Sequence, residues 1–243
     1  MSKKIRAIIL AAGRGSRMKN LTSEIPKCLT KIKGKSLLEM QIKNFKKAGI
    51  SDIAIVTGYK NHLLQVYGLK EFYNRYWKET NMVFSLECAN NWLENFTCIV
   101  SYSDIFYKKS AIELLKSDNN KISITYDPKW LSLWNKRFER PIDDAETFKI
   151  DGNFQLLEIG YKPKNLNEIQ GQYMGLLKFE PTGWLEFKQM WNEINKINKN
   201  ISMTEMLQEI ILKNNLKINC LSYLEEWGEV DLESDLRLYN KFL

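Results

Sequence analysis

The chain has 243 residues, 44% of them hydrophobic and 27% charged, with a formal net charge of +7. That length allows one α/β domain over residues 1–243 with a substantial core. No apolar run approaches the roughly 18 residues of a membrane span. Lysines and arginines are scattered among 29 acids without a long basic block, so the positive balance points to small anionic substrates and away from nucleic acid. A single histidine, His62, leaves little for zinc sites or histidine-based triads, and it reads as a surface residue beside Asn61, a helix cap. The four cysteines form no CxxC pair, and Met1-Ser-Lys-Lys shows no signal pattern, so reduced thiols in a cytoplasmic protein without a membrane partner are expected.

In chain order, 5–10 is a short apolar run that predicts a buried parallel strand. After its last residue, Leu10, the residues Ala11, Ala12, Gly13 and Gly15, with Ser16 following, leave no bulky side chain, so backbone N–H groups can approach a phosphate closely. Arg14, Arg17 and, further on, Lys27 add cations to the same region. A short strand at 29–32, a turn at 33–35 and an amphipathic helix over 37–48 with Gly49 as its stop follow. Residues 53–57 predict the second strand, with Gly58 and Tyr59 at its carboxyl end. Strand, helix, strand implies a parallel sheet with a right-handed crossover, and such sheets bind ligands outside the carboxyl ends of their strands. A short helix is expected at 61–67, a strand at 72–77, and one helix from Asn81 through Ser85 to about residue 93.

Residues 97–102 form the third good strand, ending in Ser103-Asp104-Ile105. A helix over 109–117 and a strand over 122–126 come next. Residues 127–180 read as an antiparallel elaboration, with Trp130, Trp134, the acids Asp143, Asp144 and Glu146, and a hairpin around Asp151-Gly152. Helices at 182–196 and 203–213, the second capped by Ser202, precede a strand at 217–221 and a last helix from about residue 233. The Lys199-Asn200 and Asn214-Asn215 pairs read as polar turns.

The run Leu10-Ala-Ala-Gly-Arg-Gly-Ser-Arg-Met18, followed by Pro26-Lys27, resembles the signature of nucleotidyltransferases that join an NTP to a phosphomonoester. Within that superfamily the chain is most similar to the bacterial CTP:phosphocholine cytidylyltransferases and their relatives. The likeness is strongest over 5–29, 97–105 and 227–236. It implies a Rossmann-like, glycosyltransferase-A-like fold: a mostly parallel mixed sheet flanked by helices, with 127–180 covering the acceptor side. It further implies that Asn81 and Ser85 lie beside the nucleotide. Asp104 and the Trp227-Gly-Glu-Val-Asp231 segment then supply metal-binding acids, with Asp231 or Glu229 as the second ligand of a Mg²⁺. Ile159-Gly-Tyr-Lys-Pro163 resembles the Glu-Lys-Pro motif of sugar-nucleotide enzymes, so Lys162 is expected on the acceptor phosphate, while Tyr161 in place of the acid argues against a hexose 1-phosphate.

The implied reaction is attack of an acceptor phosphate on the α-phosphorus of CTP, with pyrophosphate leaving. Charge repulsion is the obstacle, so positioning and electrostatics carry the catalysis and no histidine is needed. Arg17 is expected on the β,γ-phosphates and Lys27 on the α-phosphate. Trp130, Trp134, Tyr173 and Trp227 suggest an aromatic cage for a quaternary ammonium, which makes phosphocholine the leading acceptor. Phosphoethanolamine or a phosphorylated amino-acid amide such as phosphoglutamine stays open, as does a sugar 1-phosphate. A nicotinamide-dependent oxidoreductase would place an acid near the end of the second strand, where Thr57-Gly58-Tyr59 stands. A non-catalytic nucleotide-binding domain would have no use for Lys27, Asp104 and Asp231 together.

Overall fold

The structure, a computed structural model, describes residues 4–198, 200–214 and 216–242. Residues 1–3, Lys199 and Asn215, and with them parts of the expected N-terminal stretch and polar turns, lie outside the described residues.

Seven strands build the central sheet: β1 (Ile5–Ala11), β2 (Ile53–Thr57), β3 (Lys70–Tyr73), β4 (Thr97–Tyr102), β5 (Ile122–Asp127), β6 (Gln172–Phe179) and β7 (Asn219–Ser222). Their order is β7-β5-β6-β4-β1-β2-β3. Every pair is parallel except those of β6, which runs antiparallel to both β4 and β5. The alternation of a strand sends Ile8 and Leu10 to one face and Ala7 and Ile9 to the other, and both faces are covered. That is why β1 reads as an unbroken apolar run.

The helices are α1 (Leu37–Lys47), α2 (Met82–Glu87), α3 (Asn90–Asn95), α4 (Lys109–Ser117), α5 (Trp130–Arg137), α6 (Pro181–Ile194), α7 (Met203–Asn214) and α8 (Glu233–Phe242). On one face α2, α3, α6 and α7 contribute Leu86, Leu93, Trp184, Trp191 and Met206 to the core. On the other, α1, α4 and α5 contribute Phe45, Leu115 and Trp130. Caps fix the helix starts. Ser36 and Glu39 close a capping box on α1. Ser202 accepts from the Glu205 N–H while the Glu205 carboxylate accepts from Ser202 N, the same device before α7.

Four expectations are corrected. The strand expected over 72–77 is β3, and it stops at Tyr73. Buried Asn74 then accepts the Tyr76 N–H at 2.9 Å and turns the chain. The single helix expected from 81 breaks into α2 and α3 at Cys88 and Ala89, where the Ala89 N–H bonds Leu86 O and the asparagines at 90 and 91 favour a turn. Within 127–180 only Phe148–Ile150 and Leu156–Ile159 form the expected hairpin. Residues 130–137 are helix, and β6 belongs to the central sheet. Asn61 lies inside a 3₁₀ turn instead of capping it, with His62 exposed beside it, and its amide donates to Glu71.

Lys178, on β6, is 1% exposed and donates to Asp118 Oδ2 at 3.2 Å. Asn219 and Asn120 also donate to that carboxylate. Burial works against its charge, but hydrogen bonds from Ser123 and Asn120, with the Lys178 charge, hold the Asp118 pKa below the ordinary aspartate value of 3.8. Its contribution to stability is therefore complete above that value and lost as pH falls through the lower folded-state pKa. Asp118→Asn strands a buried ammonium, and at pH 7 urea unfolding is expected to show a loss of about 3–5 kcal/mol. The deficit is expected to shrink as both proteins are taken below pH 3.8.

Candidate active site

Two cavities meet at the carboxyl ends of β1 and β4. The first, about 240 Å³, is lined by Leu10, Ala12, Gly13, Gly15, Ser16, Arg17, Lys27, Trp77, Thr80, Ser85 and Ser103, and shares Arg17, Asn81, Met82, Tyr102 and Asp104 with the second. The second, about 310 Å³, adds Trp134, Asp144, Glu146, Gln172, Tyr173, Ser202, Thr204, Glu229 and Asp231.

The loop after β1 is built for close approach. Gly15 has φ +72°, and a Cβ there would lie 2.8 Å from the Lys27 stem, so glycine is required both by the backbone and by the lysine. The buried Thr22 hydroxyl donates to Gly15 O at 2.9 Å and pins the loop. No acceptor among the described residues takes the N–H groups of Gly13, Arg14 or Gly15. Gly58 and Tyr59 line neither cavity; they support the loop. A Cβ on Gly58 would meet Trp77 and Ala12 O, and the Tyr59 N–H donates to Ala12 O at 2.9 Å. The Tyr59 hydroxyl reaches Ser23 O at 2.6 Å, and its ring meets Trp77 edge-on. Arg14 is exposed and lies over the Tyr59 ring. Ala11 is buried in β1. Ser85 is held by the Asn74 amide at 3.0 Å, and Asn81 starts α2.

Lys27 is the centre of the cleft. It is 7% exposed, donates to Asp104 Oδ2 at 2.7 Å, and pairs also with Asp231. Register explains how residues so distant in sequence meet. The strand Trp227–Glu229 pairs antiparallel with Ile105–Tyr107, setting Glu229 opposite Ile105, and the Val230 N–H bonds Asp104 O. Gln41, buried on α1, donates to both Tyr102 O and Ile105 O and so clamps the turn that carries Asp104. Arg17 reaches Asp231 Oδ1 at 2.9 Å.

Carboxylate oxygens of Asp104, Glu229 and Asp231 lie within 4.8 Å of one another. Burial opposes the Asp231 charge, but Lys27, the contact with Glu229 and Arg17 outweigh it and lower its pKa to about 2. Burial and then the Asp231 charge push the Glu229 carboxyl well up. Burial likewise opposes the Lys27 ammonium, and Asp104, Asp231 and Glu229 reverse the effect and raise its pKa. Asp104 Oδ1 is buried and has no hydrogen-bond partner. Hard oxygen donors clustered in this way, one of them unsatisfied, fit a hard divalent cation.

The acceptor-side expectations divide. Trp134 and Tyr173 face the larger cavity. Trp130 and Trp227 do not: both are buried, and their indole N–H groups go to Ile169 O at 3.2 Å and to Asp127 Oδ2 at 2.9 Å. A four-ring cage is therefore corrected to two rings, because two of the tryptophans serve the core. Lys162 is also corrected: it is exposed, lines neither cavity, and donates to the carbonyls of Ile142 and Asp143. Its neighbour Gly160 packs against Thr204, so that segment supports the cavity wall from behind. Trp77, Thr80 and Thr204 carried no recognisable motif and reach the cleft through turns and a helix start, whereas Glu146 stood among the acids of 127–180 and Gln172 enters at the start of β6.

A nucleotide loop, a buried lysine and a carboxylate cluster at the ends of a mixed sheet define a nucleotidyltransferase. Residues 7–129 match the MobA-like NTP transferase domain, and the chain belongs to that family. It is 36% identical to a CTP:phosphoglutamine cytidylyltransferase of Campylobacter jejuni, over 96% of this chain and 98% of that one. The fold is similar to the inositol-1-phosphate CTP transferase of T. maritima, with a TM-score of 0.75, 17% identity, and coverage of 99% of this chain and 96% of that one. It is similar also to the CTP:phosphocholine cytidylyltransferase of Streptococcus pneumoniae, with a TM-score of 0.73, 21% identity and coverage of 98% of both chains.

Gly15→Ala is expected to cost about 1–2 kcal/mol for the left-handed backbone and to displace Lys27. Thermal unfolding and turnover of the variant check this. A small stability loss with activity down at least tenfold is the expected pattern, and unchanged activity would detach the loop from the lysine.

Proposed function

We propose that the chain transfers CMP from CTP to a phosphorylated amino-acid amide of the phosphoglutamine kind and releases pyrophosphate, with Mg²⁺. One observation carries the acceptor reading. The larger cavity presents Asp144, Glu146, Gln172, Ser202 and Thr204 beside only two aromatic rings. Gln172 spends its amide N–H on Glu146 O at 2.8 Å, which fixes the orientation of that amide, and the Thr204 hydroxyl donates to the Glu146 carboxylate at 3.3 Å. Such a wall suits an ammonium or amide that donates several directed hydrogen bonds, whereas a quaternary ammonium donates none and depends on ring faces. The 36% identity to a protein of that activity, extending over nearly the full length of both chains, supports the same reading.

In this reading an acceptor phosphate oxygen attacks the α-phosphorus, and the bond from that phosphorus to its bridging oxygen breaks as pyrophosphate leaves. The free N–H groups of the Gly13–Gly15 loop bind the triphosphate. Arg17 neutralises the leaving phosphates, and Lys27 leaves its carboxylates for the α-phosphate, where charge develops. Asp104 with Asp231 or Glu229 would hold Mg²⁺, which supplies further positive charge to the reacting phosphates. Trp77, in the wall of the smaller cavity, offers an apolar face to the nucleoside. The aromatic pair Trp134 and Tyr173 favours phosphocholine as the second reading.

Pyrophosphate release, with four NTPs crossed against phosphoglutamine, phosphocholine, phosphoethanolamine and glucose 1-phosphate, tests the assignment. CTP with phosphoglutamine is expected to be fastest. Fastest release with phosphocholine would replace the acceptor, and no release with any pair would remove the proposal. Lys27→Ala is expected to fold and to lose about 10²–10³-fold in kcat. Glu146→Gln is expected to raise KM for the acceptor about tenfold with little change for CTP. Equal effects on both substrates would take Glu146 out of acceptor recognition.

A further inference from the structure

Arg137 and Asp235 line neither cavity, yet both side chains are completely buried within reach of the carboxylate cluster. The guanidinium grips the carboxylate with two bonds, Nε to Oδ1 at 3.0 Å and Nη2 to Oδ2 at 3.2 Å. The same Oδ2 accepts the backbone N–H groups of Asp231 at 2.8 Å and Leu232 at 2.9 Å. Asp235 therefore fixes the backbone that carries Asp231. The remaining arm of the fork, Nη1, reaches Glu229 Oε2 at 3.3 Å, so one residue is tied to both members of the Glu229–Asp231 pair. Arg137 also lies under Trp134, whose indole N–H donates to Asp144 on the acceptor wall. α5, α8 and the Trp227–Glu229 strand thus close on one planar cation.

We infer that the Arg137–Asp235 pair is the positioning device of the cation site: it sets the distance and orientation of Glu229 and Asp231 before any ligand arrives. The inference rests on the proposed cation reading of the three carboxylates. A pair that only stabilised the fold would be replaceable by apolar side chains of similar volume, because desolvation offsets most of the attraction in a buried ion pair. A positioning pair is not replaceable in that way, since an apolar substitute leaves the Asp231 N–H and the Glu229 carboxylate unheld. Lysine is no substitute for Arg137 either, because one ammonium cannot present three directed N–H groups in a plane. Partners behind metal-binding side chains typically contribute 10–100-fold to metal affinity.

The test is Mn²⁺ alone, titrated into the full chain and followed by electron paramagnetic resonance, with thermal unfolding as the control for folding. Wild type is expected to bind and Asp104→Asn to lose binding; absence of Mn²⁺ binding by wild type overturns the cation reading and this inference with it. In Asp235→Asn and Arg137→Lys the affinity is expected to fall 10–100-fold, and kcat with it, while KM for CTP measured at saturating Mg²⁺ stays within about threefold. Wild-type binding accompanied by unimpaired binding in these variants overturns the positioning role alone. Should the single variants fail to fold, the paired Arg137→Met and Asp235→Leu change, which removes both buried charges, is measured in the same way. A folded double variant with wild-type Mn²⁺ affinity contradicts the inference, and one with weakened affinity upholds it.

Discussion

The Lys27 ammonium lies among carboxylates, and the rest of the cleft is arranged around that fact. A lysine buried to 7% exposure is tolerable only with its charge matched, and Asp104 and Asp231 match it. Those acids in turn crowd Glu229, whose carboxyl is pushed up, and they draw Arg17 and, behind them, Arg137. The result is a preformed array of opposite charges. In the proposed mechanism it exchanges partners when a polyphosphate enters: the unpartnered Asp104 Oδ1 is open to a divalent cation beforehand, and each cation that turns to phosphate adds a carboxylate oxygen to its hold. Nothing in this exchange requires a side-chain nucleophile or a base.

The fold supplies that array through strand ends. β1 delivers the glycine loop, β4 delivers Asp104, and a two-residue step beyond the Trp227–Glu229 strand delivers Asp231. The antiparallel β6 enters the sheet between β4 and β5 and carries Gln172 and Tyr173 to the acceptor side. In the proposed reading the nucleotide lies outside the ends of β1 and β4, where the strand order reverses, a common position for ligand sites in open α/β sheets, and the acceptor lies beside β6.

How much of this could be read in the sequence follows from how local each signal is. The β1 loop was legible because strand, small residues and cations are consecutive. The end of α1 was legible because Gly49 is a local stop. Asp104 and the Trp227–Asp231 segment were legible only by resemblance, since their meeting depends on register between strands far apart in the chain. Trp77 was hidden because Asn74 ends β3 by a side-chain bond that competes with strand extension. The tryptophans misled for the opposite reason. An indole offers a ring for a ligand and the same ring for a core, and with all three rings buried and their N–H groups bonded, only position in the cavity wall separates Trp134 from Trp130 and Trp227. Arg137 and Asp235 carried no pattern at all, because a buried ion pair between α5 and α8 leaves no periodic trace.

In the proposed mechanism the carboxylate cluster and the nucleotide loop act as one site. The most direct measurement is CTP affinity by calorimetry with and without Mg²⁺. Binding at least tenfold tighter with Mg²⁺, with the gain abolished in Asp104→Asn, is expected if a cation satisfies the acids while Lys27 and Arg17 turn to phosphate. CTP affinity indifferent to Mg²⁺ in wild type would contradict the account and leave the carboxylates as partners of Lys27 alone.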